Sequence, residues 1–407
     1  MDVNQPLALL AGLSPAQFMR RHWQKKPLLV RQAMAGFKPF LNRAALVKLA
    51  ASEQVESRLI VRQEKGWTLE KGPIAPKGLP PFSQEGWTLL VQGVDLHEPA
   101  GHALLQQFRF VPDARMDDLM ISFATPGGGV GPHFDSYDVF LFQASGRRRW
   151  KISKQKDLSL QPGVPLKILQ NFQAEEEFVL EAGDMLYLPP RYAHDGMAEV
   201  SVGANGKPAD CMTYSIGFRC PVQTELASEL LHRLAEIGED AAQAAAEKVP
   251  SGPAASPRIY RDPTQPATQT PAAMPAGLAA FAAQAVLEAL KDPQALACAL
   301  GEYMTEPKPG VWFDEPPQPW EGDAVKAGRC ALVLDARTRM MYDADHVFIN
   351  GESHRARGAD ARLMHRLADQ RRLDAGDLRK AGAGVAELLG DWHEAGWLQQ
   401  AAPDAGQ

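Results

Sequence analysis

The sequence predicts a mainly β domain, an antiparallel barrel or sandwich, followed by a helical region and a small α+β module. Three observations carry this. Between about 90 and 220, short runs rich in Val, Ile, Leu and Phe alternate with glycine turns, the pattern of antiparallel all-β folds. From 222 to 291, apolar residues recur at helical spacing on either side of an Ala/Pro-rich stretch. From 309 onward, strand-like and helical segments alternate. A chain of 407 residues allows roughly two or three such domains. With 45% hydrophobic and 23% charged residues, it has the composition of a soluble globular protein. A net charge of −6 provides no overall basic field for nucleic acid or anionic lipid. Four cysteines without a C-x-x-C pair indicate reduced thiols rather than a disulfide frame or a zinc knuckle. Neither a signal-peptide pattern nor an 18-residue apolar run occurs, so a cytoplasmic protein without a membrane span is expected.

The elements follow in order. Ser14-Pro15 caps a helix running toward Trp23, and Pro27 to Val30 reads as a buried strand. Residues 119–124 form a strand, and a glycine turn follows at 126–132. Residues 133–143 form a second strand and 147–152 its return across Ala144-Ser145-Gly146. Residues 178–180 and 184–188 read as another strand pair broken at Ala182-Gly183, and 211–218 as the last strand. The helix of 222–246 has Leu226, Leu230, Leu231, Leu234 and Ile237 on one face. The segment 249–276 is a linker or long excursion by composition, and 277–291 is again helical. Residues 331–334 and 346–349 are strand candidates; 361–369 and 384–397 are helical.

The sharpest chemical feature is His133-Phe134-Asp135. On a strand the two polar side chains point to one face, so an imidazole and a carboxylate can hold one metal ion. His194, 59 residues beyond Asp135, is the best third ligand. Two histidines and one carboxylate leave positions open opposite them, the geometry of non-haem Fe(II) oxygenases. An H-x-D triplet alone also arises by chance. This one follows a glycine-rich turn, opens a β-rich segment and precedes a Gly-Asp…Pro-Pro-Arg…His segment at barrel-like distance.

The run Arg147-Arg148-Arg149 reads most simply as a solvated basic edge. Period two, however, turns Arg148 the opposite way from its neighbours. If it faces the barrel it needs an anion, and a carboxylate is its best partner. Asp118, Met120 and Ser122 share one strand face, as do Thr213 and Ser215, which can hydrogen-bond a ligand. Asp118 either ends a surface strand or attracts a cationic side chain. Tyr137 continues the face of His133 and Asp135.

The motifs Gly131-Pro132-His133-Phe134-Asp135-Ser136-Tyr137-Asp138-Val139-Phe140, Gly146-Arg147-Arg148-Arg149-Trp150 and Gly183-Asp184-Met185-Leu186-Tyr187-Leu188-Pro189-Pro190 with His194 resemble the bacterial JmjC-type ribosomal oxygenases. Tyr214-Ser215-Ile216-Gly217-Phe218-Arg219 and Trp23-Gln24-Lys25-Lys26-Pro27-Leu28-Leu29 fit the same family. The resemblance is specific over 117–219, good in 13–33 and weak beyond 220. It implies a cupin (double-stranded β-helix) fold and 2-oxoglutarate-dependent hydroxylation at the β-carbon of an arginine in large-subunit ribosomal protein number sixteen. It implies His133, Asp135 and His194 as the catalytic Fe(II) ligands and Arg148 as partner of the distal 2-oxoglutarate carboxylate. Ser122 and Thr213 become further co-substrate contacts, although the family has asparagine where this chain has Thr213. Asp118 and Tyr137 become candidates for holding the substrate arginine.

The resemblance further implies three parts: a catalytic domain over 1–220 (core about 90–220), a helical dimerisation region over 221–308 containing the excursion 249–276, and a winged-helix-like domain over 309–407. A homodimer and a ribosomal protein partner are therefore expected. Residues 321–400 contain 12 Lys and Arg against 13 Asp and Glu, a net of −1, so direct DNA binding is not expected. A JmjC-like demethylase would use the same metal site. A non-catalytic cupin would not need the intact set of His133, Asp135, His194 and Arg148.

Overall fold

The computed structural model describes residues 2–402 except 65, 204, 205, 207, 248–258, 264, 265, 267–271 and 328. It divides into two compact units, Met1–Cys220 and Pro221–Gln407.

In the first unit, helix α1 (Pro15–Arg21) opens as its sequence predicts. Ser14 Oγ accepts from the Gln17 amide, Gln17 reciprocates on the Ser14 amide, and Pro15 occupies the first turn. Helices α2 (Arg43–Ala50) and α3 (Pro99–Gln106) pack against the same core. The strands are β1 (Leu28–Val30), β2 (Ser57–Gln63), β3 (Gly66–Lys71), β4 (Trp87–Val91), β5 (Met116–Ala124), β6 (Asp138–Ser145), β7 (Arg147–Ser153), β8 (Glu176–Glu181), β9 (Met185–Leu188), β10 (Ala193–Glu199) and β11 (Cys211–Phe218). Eight of them make a sheet in the order β1-β9-β6-β11-β5-β4-β2-β3, and three make a second sheet, β10-β7-β8. All pairings are antiparallel.

Strand alternation decides what each sheet face carries. Along β5, Leu119, Ile121 and Phe123 join the outer core with Phe18, Leu46 and Leu104. Asp118, Met120 and Ser122 turn to the inner face. On β6, Phe140 and Phe142 go outward, while Val139 and Leu141 meet Trp150 and Ile152 of β7, Leu180 of β8, and Leu186 and Leu188 of β9. Those contacts join the two sheets and mark the inside of the barrel.

Three readings of the sequence are corrected. The run 133–143 is not one strand: β6 begins only at Asp138, and His133 makes an isolated bridge to His194. The segments at 178–180 and 184–188 do not pair with each other. β8 joins β7 and β9 joins β6 and β1, because the corner before Asp184 carries the chain from one sheet to the other. The barrel core is not confined to about 90–220: β1, β2, β3 and most of β4, all from the region before residue 90, join the large sheet.

The second unit contains α4 (Gln223–Glu247), α5 (Ala276–Ala289), α6 (Pro293–Thr305), α7 (Gly322–Lys326), α8 (Gly358–Gln370), α9 (Ala375–Leu378) and α10 (Ala383–Glu394). Its strands are β12 (Ala331–Leu334), β13 (Met340–Tyr342), β14 (His346–Ile349), β15 (Glu352–Arg355), β16 (Arg372–Leu373) and β17 (Leu398–Ala401), in sheets β16-β12-β17 and β13-β14-β15. The predicted helix 384–397 ends at Glu394, and its last residues turn into β17. Leu332, Val347, Leu367, Leu389 and Trp392 share the core, and α6 packs on the β13–β15 strands. Most of the Ala/Pro-rich stretch 249–276 lies outside the described residues.

Candidate active site

The H-x-D segment is held by pairing rather than by a continuous strand. His133 N–H donates to the His194 carbonyl at 2.9 Å, and His194 N–H returns the bond at 2.8 Å. The Arg191 amide donates to the Asp135 carbonyl at 2.7 Å. His133 Nδ1 lies 2.8 Å from the Gly131 carbonyl and His194 Nδ1 lies 2.9 Å from the Tyr192 carbonyl. A carbonyl only accepts, so each Nδ1 carries the proton and each Nε2 presents its lone pair. Gly131 holds φ at 77°, and a Cβ there would lie 2.7 Å from Ile168 Cδ1 and 2.9 Å from Trp67 Cζ2, so only glycine brings its carbonyl to His133.

One donor atom from each of His133, Asp135 and His194 lies within 4.8 Å of the others, and His194 Nε2 is 3.7 Å from Asp135 Oδ2. Burial lowers the His194 pKa to about 4, and the adjacent His133 adds to this against the opposing pull of Asp135. The imidazole is therefore neutral near pH 7, the form that binds a metal.

The inward face of β7 carries the second half of the site. Arg147 and Arg149 point outward, Arg147 toward Glu181 at 3.6 Å and Arg149 to Glu199 at 2.5 Å and to Glu177. Arg148 is 4% exposed, and its Nε and Nη2 have no hydrogen-bond partner among the described residues. A buried guanidinium with unmet donors is costly, and the Asp195 carboxylate acts on it only through space, without a hydrogen bond or close ion pair among the described residues. This guanidinium thus reports a missing anion, and the donor set fits a carboxylate. The Trp150 ring stands between the two halves, its centroid 5.7 Å from Arg148 Cζ and 5.8 Å from the His194 ring. Gly196 makes room for it: a Cβ there would sit 2.5 Å from the indole.

Ser122, Thr213 and Gln143 lie abreast on β5, β11 and β6, all buried. Ala198, opposite Arg148 on the small sheet, clusters with Ala124 and Cys211 of the large one. These residues and Arg148 therefore floor the same interior. Gln143 Nε2 donates to the Ser145 carbonyl at 2.7 Å, so its Oε1 accepts from Thr213 Oγ1 at 2.9 Å. Sequence reasoning missed Gln143, although the period-two face of Val139 and Leu141 continues to it. Asp118 is buried and accepts from the Gly93 amide at 3.0 Å. Burial, then the nearby carboxylates of Asp135 and Asp118, raise the pKa of Tyr137, so its phenol stays protonated beside both acids. All eight site residues predicted from the sequence thus lie in this one unit, at the metal cluster, the floor or the Asp118–Tyr137 edge.

A JmjC domain matches residues 103–226 and a ROXA-like winged helix matches 288–399. Ribosomal protein uL16 3-hydroxylase of Escherichia coli is 33% identical over 345 residues, 82% of this chain and 84% of its own. The chain belongs to the JmjC ribosomal oxygenases. A solved structure of the Escherichia coli ribosomal oxygenase in complex with cobalt and 2-oxoglutarate superposes on this oxygenase with a TM-score of 0.75 at 29% identity, covering 95% of this chain and 98% of that one. A bifunctional lysine-specific demethylase and histidyl-hydroxylase of Aedes aegypti is 27% identical over 199 residues, 44% of this chain and 30% of its own.

Proposed function

We propose that this protein is an Fe(II)- and 2-oxoglutarate-dependent hydroxylase acting at the β-carbon of an arginine in a large-subunit ribosomal protein. The observation that carries the reading is the unpartnered, buried Arg148 guanidinium inside the barrel that also holds the His133–Asp135–His194 cluster. The Escherichia coli relative, a hydroxylase of ribosomal protein uL16, supports the substrate class, because the likeness spans both units. The demethylase relative matches less than half of this chain.

His133, Asp135 and His194 would hold Fe(II), which supplies the dioxygen activation that couples decarboxylation of 2-oxoglutarate to hydroxylation. The protein's own work is placement. Carbonyls of Gly131 and Tyr192 keep both imidazoles in the ligating tautomer. Arg148 grips the distal carboxylate of 2-oxoglutarate, with Ser122 beside it. Thr213, which donates its hydrogen bond to Gln143 Oε1, offers the floor only lone pairs. Asp118 pairs with the substrate guanidinium and Tyr137 shapes its approach, which leaves one C–H bond facing the metal.

Mass spectrometry of ribosomal proteins incubated with enzyme, Fe(II) and 2-oxoglutarate tests the reading. It expects one added oxygen on arginine; loss of a methyl group would establish the demethylase instead. Asp118→Asn should raise the KM for substrate about tenfold while leaving that for 2-oxoglutarate unchanged.

A homodimer formed through the helices of 222–291 is part of this proposal. None of the described side chains of α5 is buried, and Val286, Leu287 and Leu290 are exposed. Light scattering should give twice the chain mass. A cytoplasmic location is proposed as well; among the described residues no helix is long and apolar enough to cross a membrane.

A further inference from the structure

The near-neutral charge of residues 321–400 conceals an uneven distribution. Residues 354–380 contain eight Lys and Arg against four Asp, and all four carboxylates are engaged. Asp377 binds Arg366 at 2.9 Å, Asp374 binds Arg372 at 2.7 Å, and Asp369 accepts from the Tyr342 hydroxyl at 3.0 Å. Asp360 accepts from the Gly382 amide at 3.2 Å. Arg355, Arg357, Arg362, Arg379 and Lys380 are exposed, and none of these side chains forms an ion pair or hydrogen bond among the described residues.

The fold gathers these five. Arg355 and Arg357 lead into α8, and Arg362 lies just past its first turn. The Asp360–Gly382 contact draws the 379–382 loop against that same turn. The amino end of this 13-residue helix adds the positive end of its dipole. A surface that neutralises its own acids and leaves five cations free suits a polyanion.

We propose that this face binds RNA through its phosphates. The choice of RNA rests on the ribosomal-substrate reading, since ribosomal proteins assemble on RNA; the cationic surface itself does not. Duplex DNA entered by a recognition helix is disfavoured, because α10, the second helix of the α9–α10 pair, exposes Glu387, Asp391 and Glu394. The face would hold phosphates rather than read a groove.

Fluorescence anisotropy of the full chain with a labelled RNA hairpin, titrated between about 50 and about 200 mM KCl, tests this. Affinity should fall steeply with salt. The triple variant Arg355→Glu, Arg357→Glu, Arg362→Glu should bind at least about tenfold more weakly and flatten the slope of log K against log salt by about 2. Arg379→Gln with Lys380→Gln, two loop changes that keep the fold, should show a smaller loss of the same kind. Hydroxylation of a free ribosomal peptide should be unchanged in both, so this proposal and the catalytic one fail separately. Wild-type binding equal to that of both variants would overturn it. So would capture of poly-glutamate or phosphatidylglycerol vesicles in preference to the RNA.

Discussion

The two ends of the barrel interior are finished differently. At the metal end each imidazole donates from Nδ1–H to a backbone carbonyl, and burial holds His194 neutral. At the floor, two nitrogens of Arg148 have no hydrogen-bond partner among the described residues, although Gln143 and Thr213 are hydrogen-bonded to each other. The protein orients both imidazoles with its own backbone, whereas its buried guanidinium keeps two nitrogens without a hydrogen-bond partner among the described residues. The C-terminal unit sharpens the contrast. His393 is also buried, with an unpartnered Nδ1, but no other His, Cys, Asp or Glu among the described residues joins it in a metal-sized cluster. Burial of a histidine is therefore not the signal; convergence of donor atoms is.

That contrast can be broken from its metal end first. His133→Ala removes one of three ligands, and succinate release should fall to the metal-free background while the fold survives. Turnover near wild type would sink the assignment. Acid titration should also separate the ends. Because the His194 pKa is lowered to about 4 from about 6.5 when unfolded, the folded state binds fewer protons in that window. Metal-free protein should lose up to about 3 kcal/mol as pH falls from about 6.5 to about 4. Urea midpoints at stepped pH would show it, and a His194→Asn variant should respond less.

The floor should respond to Arg148 substitutions in two opposite ways. Arg148→Ala should raise the KM for 2-oxoglutarate about ten- to a hundredfold, the loss of a charge-assisted hydrogen bond, and leave Fe(II) affinity nearly unchanged by calorimetry. Arg148→Met should bind 2-oxoglutarate as poorly, yet make the ligand-free protein more stable by about 1 kcal/mol, since it removes an unpaired buried charge. A lowered Tm for ligand-free Arg148→Met would mean that the guanidinium is structural.

The sequence by itself determined the alternation. Period two along 116–124 and 147–152 sorts Ser122 and Arg148 from their outward neighbours, and the Ser14-Pro15 cap, the glycine turns and the H-x-D triplet needed no partners to be legible. The short-range preferences of φ, turns and strand faces act within a few residues, so they are written locally. Only the tertiary structure decided which strands pair. The β8–β9 corner looks like a hairpin in sequence yet divides its arms between two sheets, and His194 joins the His133–Asp135 cluster because its backbone bridges to His133, 61 positions earlier. Gln143 was legible as a polar residue on an apolar face, but its hold on Thr213 required β6 and β11 to be neighbours. The basic face of α8 likewise stayed hidden in a net charge of −1 until the structure showed which carboxylates were already engaged. Pairing and neutralisation depend on residues far apart in the chain, and a sum over sequence does not contain them.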